Sequence, residues 1–481
     1  MPYRDLREFI EKLWVEGELH RIKAEVDWNL ELAHIAKLNE ERNGPALLFE
    51  KVKGYNSPVL ASAFCTVSRL ALALDMPKTS TLVDLMREWV RRCSGEKIPP
   101  KWVNDGPCKE NVDEGDKVNL LKFPVPKLFP LDGSRYFGTA VFTITKDPET
   151  GWINLGTYRH MLIDERTLGT NFIKGKHAEI TLQKYAERKE PMPVAVVVGA
   201  DPILFLLGSS RMPAFESEYN YAGALKGEPV EVVRGETVDL PIPATAEIVI
   251  EGEVDPFQTK PEGPFGEYTG YYSGAGSTPK PYVKVSCVSH RDNPVFWMTT
   301  VGRAVTDTHM IMALTYGSAL WHELEAMKIP GIKGVYCPPE GAGRMIAIIS
   351  IKQMYPGHAM HVGTAAISTE MGHYGLKTVI VVDDDIEPWD VSRVLWALSF
   401  RFQPSRAQII HRGRSTPLDP SLPIESRQIT SRIIIDATIP FEWKQKPIPV
   451  TLQEEVVKRI NQRWGELFGE KPEIEVKTEA A

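Results

Sequence analysis

The chain has 481 residues, of which 43% are hydrophobic and 25% are charged, and its formal net charge is -7. This length exceeds what one hydrophobic core usually supports, so we expect two or three domains. The negative charge, and the lack of any Lys or Arg run longer than a pair, exclude an extended nucleic-acid-binding surface. The longest apolar run, residues 194–200, is too short to cross a bilayer, so we expect no membrane span.

The cysteine pattern bears on the cellular compartment. An odd number of scattered cysteines without a CxxC pair is typical of reduced thiols in a cytosolic protein. It argues against a disulfide framework and against a thiolate zinc site. The first residues lead into an amphipathic pattern with no apolar signal core, so we expect a cytoplasmic protein. The five cysteines are Cys65, Cys93, Cys108, Cys287 and Cys337.

The N-terminal stretch, residues 1–112, is predicted to be a small α/β domain. Further along it, the polar segment 104–116 is typical of a linker. Two more helices and a short strand are predicted at 27–42, 80–92 and 46–49. Residues 5–18 are predicted to form a helix whose buried face carries Leu6, Phe9, Ile10, Leu13 and Trp14.

Residues 113–305 consist of short β-rich runs separated by turn residues. This texture predicts a barrel or sandwich-like β domain with a few helices. The strands are predicted at 139–145, 153–162, 194–198, 247–252, 282–289 and 295–301.

Residues 306–481 are predicted to form an αβ domain, because helical and strand patterns alternate there. Residues 377–382 have the pattern of a buried strand, and a helix follows near 390–399. The polar tail after Lys471 is expected to fray. A terminal amphipathic helix is predicted at 451–468, with an inward face formed by Val456, Ile460, Trp464 and Leu467.

Two polar residues in the predicted strand 153–162 are candidates for binding a ligand. Asn154 offers a neutral oxygen, and Arg159 offers a cationic fork suited to carboxylate or phosphate. Strict alternation puts them on opposite faces, so they converge only if the strand bends or ends between them. From the pattern alone, a polar solvent face is the favoured interpretation.

His177 and Glu218 extend this candidate set. Glu218 lies on a predicted helix that ends at Gly227, and the small Ala222 and Gly223 allow another group to approach closely. A lone histidine is more often a surface or core residue than a ligand. Together with Asn154, however, these side chains suit a divalent ion that keeps positions open for a phosphate.

The segment Glu262-Gly-Pro-Phe-Gly-Glu267 places two carboxylates on one short loop. Proline fixes φ and glycine permits φ > 0, so the loop can aim both side chains in a defined way. Paired acids whose surroundings push their pKa values apart can run acid and base chemistry near neutral pH. Taken alone, the segment is explained equally well by an ordinary acidic turn.

Charged residues also flank the predicted strand 377–382. Lys377 lies at its start, and a lysine at the end of a strand commonly just faces solvent. Asp383, Asp384 and Asp385 follow it and are compatible with a magnesium site. Because acids favour helix starts, loop and helix N-terminal roles are preferred for them.

Taken in chain order, these segments resemble the UbiD family of prenylated-FMN-dependent decarboxylases, from Tyr3 to Thr438. The resemblance implies an N-terminal α/β domain (1–112), a central split β-barrel that binds the flavin (113–305) and a C-terminal αβ domain (306–481). The last domain would mediate assembly into a homodimer or homohexamer. The matching motifs are Asn154-x4-Arg159, His177, Ser217-Glu218-x3-Ala-Gly-Ala-Leu-x-Gly227, Glu262-Gly-Pro-Phe-Gly-Glu267-x-Thr-Gly-Tyr-Tyr272 and Val381-Val-Asp-Asp-Asp385.

The resemblance implies a cofactor site for prenylated FMN, which a flavin prenyltransferase would supply. Asn154, His177 and Glu218 would hold a divalent ion, Mn²⁺ or Mg²⁺, against the cofactor phosphate, and K⁺ would accompany it. Lys377 would also contact the phosphate. The residues expected to line the flavin are Thr157, Arg159, Lys176, Ser209 and Ser210.

The same resemblance implies a catalytic network and a reaction. Arg159 would hold the substrate carboxylate, Glu262 would fix Arg159, and Glu267 would deliver the proton that replaces carbon dioxide. The reaction would be the reversible, non-oxidative decarboxylation of an aromatic, heteroaromatic or α,β-unsaturated acid. Met312 and residues 439–441 lie near positions that line the substrate pocket in relatives.

Two other functions remain as alternatives. A non-catalytic relative that only binds flavin is expected to lack one of the three catalytic residues, and all three are present. A nicotinamide oxidoreductase would need a GxGxxG motif after a strand, and neither Gly341-Ala-Gly343 nor Gly274-Ala-Gly276 completes one.

Overall fold

The structure is a computed structural model, and it describes residues 3–274 and 276–469. The polar tail after Lys471, for which fraying is expected, lies outside these residues. The described part is a mixed α/β fold, and no described helix is both long and apolar enough to cross a membrane.

The N-terminal unit is a small sheet covered by helices. The β1–β2 pair is parallel and β3 is antiparallel to β2. The elements are α1 (Leu6–Val15), β1 (Leu19–Val26), α2 (Glu31–Glu40), β2 (Ala46–Val52), β3 (Val59–Ala61), α3 (Val67–Ala73) and α4 (Leu82–Cys93).

Two details of this unit differ from the predictions. Helix α2 begins at Glu31 rather than at residue 27, because Asp27 accepts the Asn29 N–H in a turn and Leu30 has a left-handed φ of 69°. Trp14 is 46% exposed instead of buried, and the Arg21 guanidinium lies over its ring.

The central unit is built on one large sheet. Its elements are β4 (Lys101–Trp102), β5 (Asn111–Glu114), β6 (Val141–Lys146), β7 (Ile153–Gly156), β8 (His160–Asp164), β9 (Thr167–Thr170), α5 (His177–Arg188), β10 (Met192–Val198), α6 (Pro202–Gly208), α7 (Glu218–Lys226), β11 (Glu231–Arg234), β12 (Pro241–Pro243), β13 (Ile248–Val254), β14 (Lys260–Glu262), β15 (Thr278–Lys280), β16 (Tyr282–His290) and β17 (Phe296–Trp297).

The large sheet curls into a half-barrel. Its strand order is β7-β6-β10-β13-β16-β9-β8, so β7 and β8 lie at opposite ends. Only residues 157–159 connect these two strands, and a chain reaches at most about 3.6 Å per residue. The two ends of the sheet must therefore approach each other at this connection. The predicted single strand 153–162 is wrong, since it breaks where the sheet closes on itself.

The last predicted strand of the β domain also has a different place. Of residues 295–301, only Phe296 and Trp297 form a strand, β17. That strand pairs in parallel with β3 and completes the N-terminal sheet. Its apolar pattern does not distinguish one sheet from the other, because partner choice depends on tertiary packing.

The C-terminal unit contains a five-stranded sheet in the order β18-β19-β20-β22-β21. The predicted strand at 377–382 and helix at 390–399 are confirmed as β20 and α10. The elements are α8 (Asp307–Ala326), β18 (Ile332–Tyr336), β19 (Ile346–Ile351), α9 (His358–Ser368), β20 (Thr378–Asp383), α10 (Val391–Phe400), β21 (Ala407–Arg414), β22 (Ile429–Asp436), α11 (Glu454–Gln462) and α12 (Trp464–Phe468).

The predicted terminal helix 451–468 is divided into α11 and α12, and neither has a buried residue. Ile460 is 39% exposed and Leu467 is 49% exposed, so the expected inward face is not covered by the described part of the chain. An amphipathic pattern establishes that a helix has an apolar side but does not identify what covers it.

Candidate active site

Arg159 lies where the two ends of the half-barrel meet. The Thr157 N–H donates to the Gly208 carbonyl (2.8 Å), which turns the chain away from the sheet before β8 begins. The Arg159 side chain is 11% exposed. Its Nε and Nη2 donate to the two carboxylate oxygens of Glu262 (2.8 and 2.7 Å), and its Nη1 donates to Glu267. The structure thus brings the three predicted catalytic side chains into one network.

Two further side chains hold the acidic loop in place. Asp132 accepts the Gly266 N–H at Oδ1 and the Phe129 N–H at Oδ2, both at 2.9 Å. The Tyr136 hydroxyl donates to Glu262 Oε1 (3.1 Å). Sequence reasoning missed both residues, because they lie more than a hundred positions from the loop and belong to no local motif.

Burial and neighbouring charges affect the protonation of Glu267 and of Arg159 differently. Burial raises the pKa of Glu267 to about 7; Arg159 opposes this shift, and Glu262 and Asp132 add to it. Burial would lower the pKa of Arg159, but the carboxylates of Glu267 and Glu262 raise it, so the guanidinium stays charged. A carboxyl with a pKa near neutrality, held against a permanent cation, is suited to general acid chemistry.

Asn154, His177 and Glu218 form a second cluster. The Asn154 Nδ2 donates to Glu218 Oε1 (2.9 Å) and lies 3.3 Å from His177 Nδ1. The Leu155 N–H donates to the other Glu218 oxygen (2.7 Å). Asn154 lies on β7, while His177 and Glu218 are the first residues of α5 and α7.

This cluster fits a divalent cation. The Asn154 Oδ1 is buried and has no hydrogen-bond partner. Rotating the amide by 180° would place that oxygen between the Glu218 carboxylate and the His177 nitrogen, where the three side chains could together coordinate a cation. In the described residues no group of three or more His, Cys, Asp and Glu side chains could hold a metal, so a metal here would need the asparagine as its third ligand.

The charge states of the other two donors follow from their surroundings. Burial raises the pKa of Glu218 to about 8, although hydrogen bonds from Leu155 and Asn154 oppose the shift. Burial lowers the pKa of His177, and the nearby cations Lys176 and Arg211 lower it further. The histidine is therefore neutral, which is the form that binds metals.

Both clusters open into one cavity, which the central and C-terminal units line together. Met312 lines it as expected, whereas residues 439–441 do not. The predicted site residues on its wall are Asn154, Thr157, Arg159, Lys176, His177, Ser209, Ser210, Glu218 and Glu267.

Lys377 does not line this cavity. Its Nζ donates to Ser421 Oγ (2.7 Å) and lies 3.1 Å from Asp419 Oδ2, so it is held by an ion pair within the C-terminal unit. That Lys377 contacts the cofactor phosphate stays a prediction. Arg211 and Arg414, which carry no motif, supply positive charge to the cavity wall instead.

The Asp383–Asp385 triplet is likewise not a metal site in the described structure. Asp383 accepts the Ile439 N–H (2.7 Å) and the Gln353 amide (2.7 Å), and Asp385 pairs with Arg401. These are loop roles, as preferred from the sequence. The helix N-cap is Asp390, not a member of the triplet.

The small residues of α7 serve the fold. A Cβ at Gly223 would lie 2.3 Å from the Ile98 carbonyl oxygen, so the group that approaches closely is the chain's own backbone. Gly227 ends the helix at a φ of 74°, as predicted.

Comparisons with known proteins match this architecture. Sequence models of the UbiD family, 3-octaprenyl-4-hydroxybenzoate carboxy-lyase, match in three parts. The N-terminal domain matches residues 10–89, the Rift-related domain residues 101–304 and the C-terminal domain residues 309–437.

Individual relatives are similar over almost the whole chain. An uncharacterized protein of Archaeoglobus fulgidus is 35% identical over 97% of this chain and 99% of its own. Vanillic acid decarboxylase of Sedimentibacter hydroxybenzoicus, in its closed form, is 32% identical, with a TM-score of 0.86 over 98% of this chain and 100% of its own. The UbiD-class enzyme HmfF of Pelotomaculum thermopropionicum, solved with FMN, is 30% identical, with a TM-score of 0.83 over 93% of this chain and 97% of its own.

HmfF has also been solved with prenylated FMN, in an evolved dimeric form that is 29% identical to this chain, with a TM-score of 0.80 over 93% of this chain and 97% of its own. The family match in three parts, the half-barrel and the shared cavity agree with one another. The chain therefore belongs to the UbiD family and is a prenylated-FMN-dependent carboxy-lyase.

Proposed function

We propose that this enzyme catalyses the reversible, non-oxidative decarboxylation of an aromatic, heteroaromatic or α,β-unsaturated carboxylic acid. The observation that carries the proposal is the buried network of Arg159 with Glu262 and Glu267 on the cavity that also holds Asn154, His177 and Glu218. The names of the relatives, a vanillic acid decarboxylase and a UbiD-class enzyme bound to FMN, support an acid substrate and a flavin.

Arg159 is the proposed clamp for the substrate carboxylate. Glu262 occupies the edge formed by Nε and Nη2, and its own position is fixed by Tyr136. The Nη1 end is bonded to Glu267, which is the only one of the two acids that lines the cavity. A substrate carboxylate arriving there would compete with Glu267 for this end through charge-assisted hydrogen bonds.

Glu267 is the proposed proton donor. A negative substrate carboxylate beside it would favour its neutral form further, because like charges repel. The protonated acid then stands next to the carbon that loses carbon dioxide and can protonate it. Loss of the carboxylate restores the ion pair between Glu267 and Arg159.

Asn154, His177 and Glu218 are the proposed ligands of a divalent ion, Mn²⁺ or Mg²⁺, that binds the cofactor phosphate, with K⁺ nearby. Thr157, Lys176, Ser209 and Ser210 are the proposed flavin contacts, and the Thr157 and Ser209 hydroxyls are 3.0 Å apart. When bound, prenylated FMN supplies the electron sink that decarboxylation requires and that side chains cannot provide.

Two parts of the proposal concern partners. A flavin prenyltransferase is the proposed source of the cofactor. Assembly into a homodimer or homohexamer through the C-terminal unit is supported by exposed apolar side chains along α10. Leu395 is 57% exposed and Phe400 is 76% exposed, which is unusual for an uncovered surface.

A screen for carbon dioxide release tests the proposed function. The protein is produced together with a flavin prenyltransferase and incubated with benzoate, hydroxybenzoates, heteroaromatic acids and cinnamate-type acids. We expect release from at least one of these classes by flavin-loaded protein and none from flavin-free protein. Loaded protein that releases carbon dioxide from none of them would contradict the proposal.

The Arg159→Lys variant is expected to lower kcat/KM by roughly 10-fold to 100-fold, the scale of losing charge-assisted hydrogen bonds. Lysine keeps the charge but loses the fork that spans Glu262 and Glu267. Steady-state kinetics and flavin absorbance measure the effect. The matched control is Arg166→Lys, because Arg166 pairs with Asp116 at the surface of the same unit. A wild-type rate in Arg159→Lys would show that the fork is not needed.

The enzyme is expected to exchange carbon dioxide with the carboxyl group of its substrate. Arg159 can bind a carboxylate formed in either direction, and Glu267 can take back the proton that it gave. The acid is incubated with labelled bicarbonate, and the label in its carboxyl group is measured. We expect label with the wild type and none with Glu267→Gln. Steady decarboxylation without exchange at saturating bicarbonate would mean that release is irreversible.

A further inference from the structure

His309 is a buried histidine to which neither the sequence motifs nor the proposed reaction assigns a role. It is 1% exposed and is the third residue of α8, the first helix of the C-terminal unit. Its Nδ1 lies 3.1 Å from the Thr306 backbone nitrogen, and its Nε2 lies 2.7 Å from the Tyr268 carbonyl oxygen. Tyr268 directly follows the proposed proton donor Glu267, so this side chain joins α8 to the end of the acidic loop.

These partners fix the position of the proton on the imidazole ring. A backbone N–H can only donate, so Nδ1 accepts from Thr306 and carries no proton. A carbonyl oxygen can only accept, so Nε2 carries the proton and donates it to Tyr268. Burial lowers the pKa of His309 to about 4; the bond to Tyr268 opposes this shift, and Lys37 adds to it. The ring is therefore neutral near pH 7 and acts as a fixed donor.

The backbone is held on both sides of the proposed proton donor. Gly266, which precedes Glu267, donates its N–H to Asp132 of the central unit (2.9 Å). The Glu267 N–H donates to the Tyr271 carbonyl (3.0 Å), which closes a turn after the acidic loop. The bond from His309 holds the carbonyl of the next residue within this turn. Side chains from two different units thus hold the segment that carries the acid.

Helix α8 also forms part of the wall of the cavity that Glu267 lines. A general acid must lie within hydrogen-bond reach of the atom that it protonates. A bond between α8 and the segment that carries Glu267 therefore affects where the acid stands relative to a molecule lying on that wall. The α8 residues that line the cavity are Thr308, Ile311 and Met312.

We propose that His309 is a positioning residue for proton delivery, whose Nε2–H holds the Tyr268 carbonyl and so fixes the Glu267 carboxyl relative to the α8 wall. The inference rests on the proposed function, because Glu267 is the proton donor proposed there. His309 itself does not line the cavity, so its effect passes through Glu267. Misplacing a catalytic group by about 1 Å can cost on the order of 100-fold in rate.

Two substitutions separate the two bonds of the ring. In His309→Gln the longer amide side chain can place an N–H near the position of Nε2, which keeps the bond to Tyr268 and loses the bond to Thr306. In His309→Asn the shorter side chain can accept from Thr306 but does not reach Tyr268. We expect His309→Asn to lower kcat roughly 10-fold to 100-fold, with KM and flavin content near those of the wild type. His309→Gln should keep most of kcat.

Hydrogen exchange of the segment 266–271 in the flavin-loaded proteins gives a second readout, which needs no turnover. It should be faster in His309→Asn and unchanged in His309→Gln, because the bond from Nε2 stabilises the turn. The matched control is His358→Asn. His358 is a buried histidine at the start of α9, its Nδ1 accepts the Met354 N–H (3.3 Å), and it does not line the cavity. That variant should lower the thermal midpoint and keep kcat and exchange.

The two readouts distinguish failure of this inference from failure of the proposed function. Faster exchange in His309→Asn but not in His309→Gln supports the inference even if the wild type turns over no acid, an outcome that would contradict only the proposed function. Unchanged exchange in His309→Asn, or equal changes in the two variants, would overturn it. Where an acid is turned over, a wild-type kcat in His309→Asn would overturn it whatever the exchange. Loss of flavin from His309→Asn would also overturn it, since the histidine would then support cofactor binding.

Discussion

Replacing Glu267 by glutamine is expected to lower the decarboxylation rate roughly 100-fold or more, the usual scale for losing a general acid. Glutamine keeps the shape of the side chain and a hydrogen-bonding oxygen for Arg159, but it has no proton to deliver. The flavin should still bind, because the Asn154, His177 and Glu218 cluster is untouched. Single-turnover carbon dioxide release and flavin absorbance on the same sample measure both effects.

The control for this variant is Glu253→Gln, since Glu253 is an exposed glutamate on β13 of the same unit. It should retain the wild-type rate and flavin content. Near wild-type turnover in Glu267→Gln would assign proton delivery to another group. Loss of flavin in that variant would show that Glu267 supports binding rather than proton transfer.

The pH dependence of kcat/KM provides an independent check on the same residue. Burial raises the pKa of Glu267 to about 7, so the acid is protonated below that pH and ionised above it. Because the proposed role requires the proton, kcat/KM, which reports ionisations of the free enzyme, should fall tenfold per pH unit above about pH 7. The fall should be absent in the residual activity of Glu267→Gln. A flat profile from pH 6 to pH 9 in the wild type would contradict the assignment.

The sequence could predict what depends on local pattern. The helix α7 with its Gly227 end, the strand β20 and the helix α10 are governed by apolar spacing and end residues within a few positions. The acidic loop was recognisable because both carboxylates and the residues that shape it lie within six consecutive positions. The family resemblance supplied the order in which distant segments come together, and the family match confirms that assignment.

Other features could not be predicted because they depend on contacts distant in sequence. The break between Asn154 and Arg159 exists because the sheet closes at residues 157–159, which no local pattern reveals. Asp132 becomes part of the site only when the chain folds back on the acidic loop. His309 looks like an ordinary helix residue until its bond to a carbonyl 41 positions earlier in the chain is seen. The contact of Lys377 with Asp419 could not be predicted either, because Asp419 follows 42 positions later in the chain.

Replacing Glu218 by alanine is expected to remove both the divalent metal and the flavin from the purified protein. Glu218 is 2% exposed, and alanine would leave Asn154 and His177 as the only protein ligands. An ion that must complete its shell with a phosphate then loses its only anionic protein donor, so metal and cofactor depend on each other. Elemental analysis and flavin absorbance of identically prepared proteins measure the two losses.

The matched control for Glu218→Ala is Glu251→Ala. Glu251 is also buried and also accepts backbone N–H groups, those of Glu236 and Thr237 at 2.9 and 2.7 Å, but it does not line the cavity. Glu251→Ala should lower the thermal midpoint and keep metal and flavin, which separates loss of the site from general destabilisation. A Glu218→Gln variant keeps the bond from Leu155 and removes only the charge, and it should lose metal as well. Full flavin occupancy in a metal-free Glu218→Ala protein would show that the cofactor binds without the ion, and the three-ligand assignment would then be wrong.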